Sequence, residues 1–296
     1  MRRRREFIFQ GAYVLGTFNA MHAAGAAETA RAVPPSKSSG IPVEFRSEGA
    51  ILSGSILLPD SGSPTAAIVL VHGSGKEERM LWLARPLAKD GFAVLTYDKR
   101  GVGMSGGVYV GGEDNISATN LDLLANDAAA AMAALRNRFP DVPAGFVGGS
   151  QAGWIIPIAA TRSPGTKFQA LWSGPVCTTS EQLHFQHLAE ADAAFWKSHA
   201  HEEIADYMKS ASYRADDVDP RASLVKLSMP SLWLYGDQDN LVPVDLSIAR
   251  LQDLIRQGHS NFAYRVIAGY GHNIIGEGNS APAYLQTVAW IRAIAR

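Results

Sequence analysis

The sequence predicts an α/β protein built on a doubly wound, mostly parallel sheet. Two patterns indicate this fold class: short apolar runs of strand length recur along the chain, and segments with helical periodicity separate them. One stretch departs from this alternation. Residues 178–226 contain no strand-like run and carry aromatic and charged residues at helical spacing, which predicts a helical insertion, or cap.

The strands are predicted from continuous apolar runs. An antiparallel hairpin is expected first, because residues 43–46 and 50–58 flank a turn at Ser47-Glu48-Gly49. The later runs have the character of parallel strands that are buried on both faces. They lie at residues 66–71, 93–97, 145–147, 170–172, 231–235 and 264–267.

The helices are predicted from the segments between these runs. Apolar residues recur in them with the spacing that places one face of a helix against a sheet. The segments are residues 80–89, 121–138, 154–161, 246–257 and 282–295. Their alternation with the strands predicts helices on both faces of the sheet.

The first 26 residues resemble a secretory signal peptide. Four arginines precede a modestly apolar stretch that ends in Ala24-Gly25-Ala26. Arg4-Arg5-Glu6-Phe7-Ile8 resembles the twin-arginine signal, which predicts export to the periplasm or secretion. The alternatives are a basic, frayed terminus or a short anchor, although the apolar stretch is too short and interrupted for a stable membrane span. Residues 27–40 are expected to be a linker and residues 41–296 the folded domain.

Composition limits the classes of function. The chain has 296 residues, of which 47% are hydrophobic and 19% charged, so it can bury a sizeable core. The net charge of -1 provides no basic field for a polyanion, and nucleic acid is not expected as a partner. Cys177 is the only cysteine, so no internal disulfide can form. The sequence does not indicate an oligomeric state.

Ser150 lies in the most informative motif. Gly148-Gly149-Ser150-Gln151-Ala152-Gly153 follows an apolar strand and precedes a helix, and a tight turn there needs small residues two positions before and after the serine. Ala152 stands where the usual pattern has glycine. A glycine-rich connection without catalytic function is the alternative interpretation.

Other motifs follow other predicted strands. His72-Gly73-Ser74-Gly75 follows the run at 66–71, and a glycine-rich turn at 97–105 follows the next run. Downstream of the insertion, Gly236 is followed by Asp239 and Val242-Pro243, and Gly271-His272 follows the last strand. Of the eight histidines, only His272 has this position after a strand late in the chain.

Together these motifs resemble the α/β-hydrolase superfamily from residue 41 to the end of the chain, in particular its dienelactone-hydrolase-like and prolyl-oligopeptidase-like bacterial enzymes. The order Ser, Asp, His is that of the superfamily. The resemblance implies Ser150 as nucleophile, His272 as base and Asp239 as orienting acid, with Asp237 as a rival for the acid. It also implies an oxyanion hole formed by the backbone N–H groups of Ser74 and Gln151.

The remaining polar residues of these motifs are expected to be structural. His72 is interpreted as a residue that hydrogen-bonds a neighbouring loop, and Asp98 and Arg100 as partners that stabilise their turn. His184 and His187 could share one helix face as metal ligands, but no third ligand is evident, so neither a metal nor another cofactor is expected.

The implied activity is that of a serine hydrolase that cleaves carboxylic esters through an acyl-enzyme. The expected partner is a small-molecule ester or amide. A peptidase or amidase that acts on short peptides is one alternative, and a non-catalytic ligand-binding homologue is another. Four aromatic residues are candidates for the wall of the acyl pocket. They are Trp154, Phe185, Phe195 and Trp196.

Overall fold

A computed structural model of the chain describes residues 40–190, 192, 194–276 and 278–295. The predicted signal peptide at 1–26 lies outside the described residues, as does the predicted linker except for Gly40. The described chain forms a single eight-stranded sheet with helices on its faces, which confirms the predicted fold class.

The strand order in the sheet is β1-β2-β4-β3-β5-β6-β7-β8. β1 pairs antiparallel with β2 and β2 with β4, whereas all other neighbours are parallel. Each predicted apolar run lies in one of these strands, except that the run at 50–58 extends one residue past the end of β2. The strands are β1 (Ile41–Ser47), β2 (Ala50–Leu57), β3 (Ala66–Val71), β4 (Phe92–Tyr97), β5 (Ala144–Gly149), β6 (Phe168–Trp172), β7 (Ser231–Gly236) and β8 (Phe262–Ile267).

Nine helices and two short 3₁₀ turns, Gly112–Ile116 and Gly278–Ser280, accompany the sheet within the described residues. The helices are α1 (Leu81–Lys89), α2 (Ala118–Arg138), α3 (Ala152–Thr161), α4 (Thr179–Ala189), α5 (Phe195–Ser198), α6 (His201–Met208), α7 (Arg221–Leu224), α8 (Val244–Arg256) and α9 (Pro282–Ile294). α2 begins three residues before the predicted start at 121, because Ser117 accepts a hydrogen bond from the Asn120 N–H and caps the helix.

Two hydrophobic layers hold the helices to the sheet. Side chains alternate between faces along a strand, so Phe146 of β5 packs with the layer that includes α2, α3 and α8. Its neighbour Val147 packs on the opposite layer, with α1 and α9. Both faces of the sheet are therefore covered, and the loops at the strand ends carry the polar chemistry.

The described residues between β6 and β7 form four helices and no strand. Helices α4, α5 and α6 form a small apolar cluster of their own around Phe185 and Phe195. Glu181 of α4 forms an ion pair with Arg250 of α8, and the Trp154 indole donates a hydrogen bond of 2.8 Å to the Cys177 carbonyl. These contacts attach the insertion to the helices beside the sheet.

Among the described residues, no helix has the length and apolar character that crossing a membrane requires.

Candidate active site

Ser150 lies at the turn between β5 and α3 with a positive φ of 54°. Few residues other than glycine adopt this left-handed conformation. A Cβ atom on Gly148 would approach the Val71 carbonyl oxygen to 2.6 Å and the Ala152 Cβ to 2.7 Å. The turn therefore requires glycine two residues before the serine and a small residue two after it, and Ala152 meets that requirement.

Asp239 and His272 lie side by side in the loops that follow β7 and β8. His272 Nδ1 lies 2.9 Å from Asp239 Oδ2 and 3.1 Å from Oδ1. The carboxylate is buried, and it also accepts the N–H groups of Leu241 and Val242 at 2.8 and 2.9 Å. Because a carboxylate only accepts, the imidazole bears its proton on Nδ1 and leaves Nε2 as the basic atom.

The rival acid, Asp237, has a different neighbour. Its Oδ1 accepts the N–H of Gly269 at 2.7 Å, which fixes the loop that leads to His272. Of the two aspartates, Asp239 is therefore the one that hydrogen-bonds His272.

Gly236 allows the loop after β8 to cross the end of β7. A Cβ atom there would lie only 2.1 Å from the Tyr270 carbonyl oxygen. The Ser173 hydroxyl donates to the His272 carbonyl at 2.8 Å and holds the same loop from the other side. This close approach is what brings His272 to Asp239.

Ser150 and His272 line one cavity of about 470 Å³. Among the hydrogen bonds of the described residues, none joins the two side chains, and contacts of this kind often tighten only when substrate binds. The rest of the wall is mostly apolar and comes from β3, the start of α1, β5, β6 and the loop after His272, while Glu77, Glu78 and Arg79 before α1 add charged residues. It includes Met80, Trp82, Leu83, Trp172, Ile274 and Ile275.

The two predicted oxyanion donors flank the serine. Gly73, which precedes Ser74, lines the same cavity, and a Cβ atom on it would lie 3.6 Å from Ser150 Cβ. Gln151 follows Ser150 at the start of α3, where the helix dipole favours negative charge. Within the described part of the chain, the N–H groups of Ser74 and Gln151 donate to no protein acceptor.

Lys99 is a residue of this region that sequence reasoning did not single out. Its Nζ donates to the Gly73 carbonyl at 2.7 Å and to Gln151 Oε1 at 3.0 Å. Burial lowers the pKa of Lys99 to about 8, against the opposing influence of the Glu77 carboxylate. The only available signal was a lysine at the end of a buried strand, where a long cation needs acceptors.

The other residues of the same turn have structural partners. Asp98 forms an ion pair of 2.6 Å with Arg79, and Arg100 forms one with Asp127, so the two expected turn residues do not pair with each other. The His72 ring contacts the Tyr97 carbonyl at 2.6 Å. Burial and the charge of Lys99 lower the pKa of His72 to about 3, so its ring stays neutral and structural.

The predicted aromatic wall is wrong for this cavity. Trp154 is buried against Cys177, and Phe185 and Phe195 form the core of the insertion. Trp196 instead donates its indole N–H to the Asp239 carbonyl at 2.8 Å. Helical periodicity identified these residues as buried but could not show which cavity they face.

His184 stacks on Tyr207 with ring centroids 4.2 Å apart. Nowhere in residues 40–190, 192, 194–276 and 278–295 do three His, Cys, Asp or Glu side chains form a group that could hold a metal ion.

Solved structures with a fold similar to that of this chain include esterases and a peptidase. An esterase of Pyrococcus furiosus superposes with a TM-score of 0.62 at 17% identity, over 86% of this chain and 91% of that one. A carboxyl esterase of Bacillus coagulans gives 0.61 at 16%, over 86% and 98%. A proline iminopeptidase of Mycobacterium smegmatis gives 0.60 at 14%, over 86% and 100%.

A comparison with curated proteins by sequence finds no match. The family model described as serine aminopeptidase, S33, matches residues 62–218, which is more than half of the 296-residue chain. The matched segment includes Ser74, Ser150 and Gln151, whereas Asp239 and His272 lie beyond it. From this match and the fold, the chain belongs to the S33 serine aminopeptidase family and is a hydrolase of the α/β-hydrolase superfamily.

Proposed function

We propose that this hydrolase cleaves carboxylic esters through an acyl-enzyme on Ser150. The observation that carries the proposal is that His272, hydrogen-bonded to buried Asp239, lines the same cavity as Ser150. Within this cavity, His272 Nε2 takes the Ser150 proton as Oγ attacks the acyl carbonyl. The imidazolium formed in this step is stabilised by the Asp239 carboxylate.

The two oxyanion donors act on the tetrahedral intermediate. The former carbonyl oxygen becomes negative, and the N–H groups of Ser74 and Gln151 stabilise it without reorganisation. His272 then returns the proton to the leaving alcohol, and the acyl-enzyme remains on Ser150. Water, deprotonated by the same His272, cleaves the acyl-enzyme in a second passage through these steps.

The apolar wall supports an ester with an apolar acyl or alcohol group. Met80, Trp82 and Ile274 lie in the cavity with Ser150 and can bury hydrocarbon, which favours binding in proportion to the apolar area removed from water. An alcohol is also an easier leaving group than an amine.

The test is Ser150→Ala assayed on p-nitrophenyl esters of increasing acyl length. We expect kcat/KM to fall at least about 10³-fold, because the nucleophile is lost while the oxyanion donors remain. Ser63→Ala, at an exposed site outside the cavity, serves as the control. Retained ester hydrolysis in Ser150→Ala would contradict the proposed mechanism.

A non-catalytic ligand-binding function is separated by a fluorophosphonate probe. Such a probe phosphonylates an activated serine, so the wild-type chain should be labelled and Ser150→Ala should not. Absence of labelling in both chains would favour the binding function.

A peptidase activity is the second candidate, and the cavity contains a feature that favours it. The acidic residues Glu77 and Glu78 line the cavity with Ser150, and a peptide amino terminus is cationic at neutral pH. The neighbouring solved structures include peptidases as well as esterases.

Aminoacyl p-nitroanilides and the matching N-acetylated compounds distinguish the two candidates. A peptidase that binds the amino terminus through Glu78 should prefer the free amine, and Glu78→Gln should raise KM for that substrate alone. Undetectable turnover of both anilides would leave the ester as the substrate, whereas equal turnover of both would show amide cleavage without recognition of the amino terminus.

We also propose that residues 1–26 direct export through the twin-arginine route. The support is the pair Arg4-Arg5 before Glu6, Phe7 and Ile8. Changing Arg4 and Arg5 together to Lys should retain the uncleaved chain in the cytoplasm of a bacterial host, as seen by fractionation and mass spectrometry. Unchanged export of that variant would exclude the route.

A further inference from the structure

Lys99 is a buried cation for which the proposed chemistry has no direct use. It lies two residues after the end of β4 and is 2% exposed. Both acceptors of its ammonium group belong to residues beside Ser150: the Gly73 carbonyl at 2.7 Å and Gln151 Oε1 at 3.0 Å. Burying an ammonium group whose hydrogen bonds go to two neutral oxygens costs free energy of folding. The presence of Lys99 at this position therefore points to a function of its charge.

The first contact acts on the peptide that contains one oxyanion donor. The Gly73 carbonyl and the Ser74 N–H belong to the same peptide unit, which is planar and trans. Fixing the C=O toward Lys99 therefore fixes the N–H in the opposite direction. The positive charge also polarises the peptide, and a polarised peptide is a stronger hydrogen-bond donor.

The second contact acts on the residue that contains the other donor. Gln151 Oε1 accepts from Lys99, and Nε2 donates to the Asn115 carbonyl at 2.8 Å and to the Asn115 side chain. The Gln151 side chain is thus held at both ends. Its backbone N–H, at the start of α3, is held with it.

We propose that Lys99 is a positioning residue of the oxyanion hole, which orients and polarises the Gly73–Ser74 peptide and fixes Gln151. The inference rests on the proposed function of Ser150. Lys99 does not touch the substrate, and its effect reaches the reacting oxygen only through the two backbone N–H groups.

Among the described residues, no charged neighbour of Lys99 accepts a hydrogen bond from its ammonium group. Glu77 attracts it, and the Glu77 carboxyl group lies next to Gly73, since a Cβ on Gly73 would be 3.5 Å from Glu77 Oε1. Asp98 is bound by Arg79 through two hydrogen bonds from its side chain and one from its backbone N–H. His72 is neutral. The hydrogen bonds of Nζ therefore go to the two oxygens beside the oxyanion donors.

The test compares Lys99→Met with Lys99→Arg. Met has a similar length without charge, whereas Arg keeps a permanent cation. For a p-nitrophenyl ester, Lys99→Met should lower kcat about 10-fold to 100-fold with KM changed less than about threefold, somewhat below the loss of a whole donor. Lys99→Arg should recover part of kcat.

The affinity for a boronic acid is a second measurement, and a purely structural role of Lys99 would leave it unchanged. Ser150 Oγ adds to boron while its proton passes to His272, which forms an anionic tetrahedral adduct whose boron-bound oxygen occupies the oxyanion position. The dissociation constant of this adduct should rise in Lys99→Met by the same factor by which kcat falls, while the binding of a ground-state product alcohol stays unchanged. Unchanged kcat and boronate affinity, or a rise in KM alone, would overturn the inference.

Two further variants keep the test decisive if Lys99→Met does not fold. Lys99→Gln keeps a neutral donor of nearly the same reach, and wild-type kcat in that chain would exclude a role for the charge. Gln151→Met removes the side-chain acceptor but keeps the backbone N–H. A cycle with Lys99→Gln should show the two kcat losses to be non-additive, because both act on the Gln151 donor, whereas independent losses would contradict that part of the inference.

The proposed function and this inference fail in different ways. A wild-type chain that no fluorophosphonate labels overturns both, since there is then no oxyanion hole to position. A labelled wild-type chain together with an equally active Lys99→Met overturns only the role of Lys99.

Discussion

Ser150 combines a reactive position with an unfavourable backbone conformation. A non-glycine residue in the left-handed region costs on the order of 1 kcal/mol, and Ser150 adopts this conformation in a turn that has no room for a Cβ atom on Gly148. The turn presents Oγ at the end of β5, away from the helix and sheet cores. Backbone strain here is therefore coupled to the exposure of the nucleophile.

Ser150→Gly should stabilise the protein while it removes activity. Glycine adopts φ near 54° without a steric penalty, so the free energy of unfolding should rise by about 1 kcal/mol, less the entropy that glycine loses on folding. Urea denaturation measures the change, and Ser150→Ala serves as a control that keeps the Cβ atom. Equal stability of the two variants would show that the turn carries no strain.

The proposed role of the Lys99 charge predicts a loss of activity at alkaline pH. If the ammonium charge polarises the oxyanion peptide, kcat should fall as pH rises through the Lys99 pKa of about 8. Three titratable groups face Lys99. His72 is neutral in this pH range and Asp98 is paired with Arg79. The attraction of Glu77 is already included in the Lys99 pKa of about 8. In Lys99→Arg, kcat should no longer fall at alkaline pH, because the guanidinium group keeps its charge.

The contribution of Lys99 to stability changes with pH in the opposite direction to kcat. This difference separates a loss of the ammonium charge from a loss of the folded state. Because burial lowers the Lys99 pKa from 10.5 to about 8, the unfolded chain binds this proton more tightly than the folded chain. The contribution of Lys99 to the free energy of unfolding therefore rises with pH between these values. A fall of kcat above pH 8 without a fall in melting temperature would agree with the inference, and parallel losses would contradict it.

At the scale of elements, the attachment of α4 depends on one carboxylate. Glu181 accepts the N–H of Thr178 at 2.8 Å in a capping box and also pairs with Arg250 of α8. Burial acts to raise the pKa of Glu181, but the bonds from Arg250 and Thr178 outweigh it and hold the pKa below its ordinary value. The first helix of the insertion is thus joined to the body of the domain by a buried charge pair.

Glu181→Ala should destabilise the protein by about 3 kcal/mol, since it removes the cap and leaves Arg250 without its partner. Asp206→Ala breaks the exposed pair with Lys209 and should change stability by less than about 1 kcal/mol. The Glu181 contribution is present above its ordinary pKa of 4.5 and is lost as pH falls through the lower folded value. Wild type and Glu181→Ala should therefore converge in melting temperature at low pH.

The elements themselves could be predicted from the sequence, because the apolar runs of the central strands are buried and the helical segments have one apolar face. The run at 264–267 is predicted to be buried on both faces, but β8 is an edge strand and Val266 is exposed. The candidate triad could also be predicted, since each of its residues closely follows a strand. Lys99 and Glu77 could not, because their neighbours Gly73 and Gln151 are fixed by the order in which strands pair. Periodicity likewise could not assign Phe185 or Trp196 to a cavity.

At the scale of the whole molecule, the order of strands assembles the site. β3 lies between β4 and β5, and Val71 pairs with Gly148, so the ends of these strands meet at one edge. This places Lys99 next to Gly73 and Gln151, which are 26 and 52 residues away in sequence. β7 and β8 supply Asp239 and His272 at the same edge.

Gly236→Ala tests how closely these distant segments must fit. The new Cβ would lie 2.1 Å from the Tyr270 carbonyl oxygen, so the loop with His272 must move away from Asp239. We expect kcat to fall at least about 10-fold, since a displacement of about 1 Å in a catalytic group is costly. Circular dichroism and calorimetry show whether the domain is intact, and unchanged kcat in a folded variant would contradict the fit.

The location of the apolar wall has a practical consequence for altering substrate range. Met80 and Trp82 at the start of α1 and Ile274 and Ile275 after His272 belong to segments outside the insertion. The insertion instead touches the acid loop, because Trp196 donates to the Asp239 carbonyl. Directed evolution of new ester selectivity should therefore randomise the α1 start and the loop after His272, since libraries built in α4 to α6 would draw their variants from residues that support catalysis and folding.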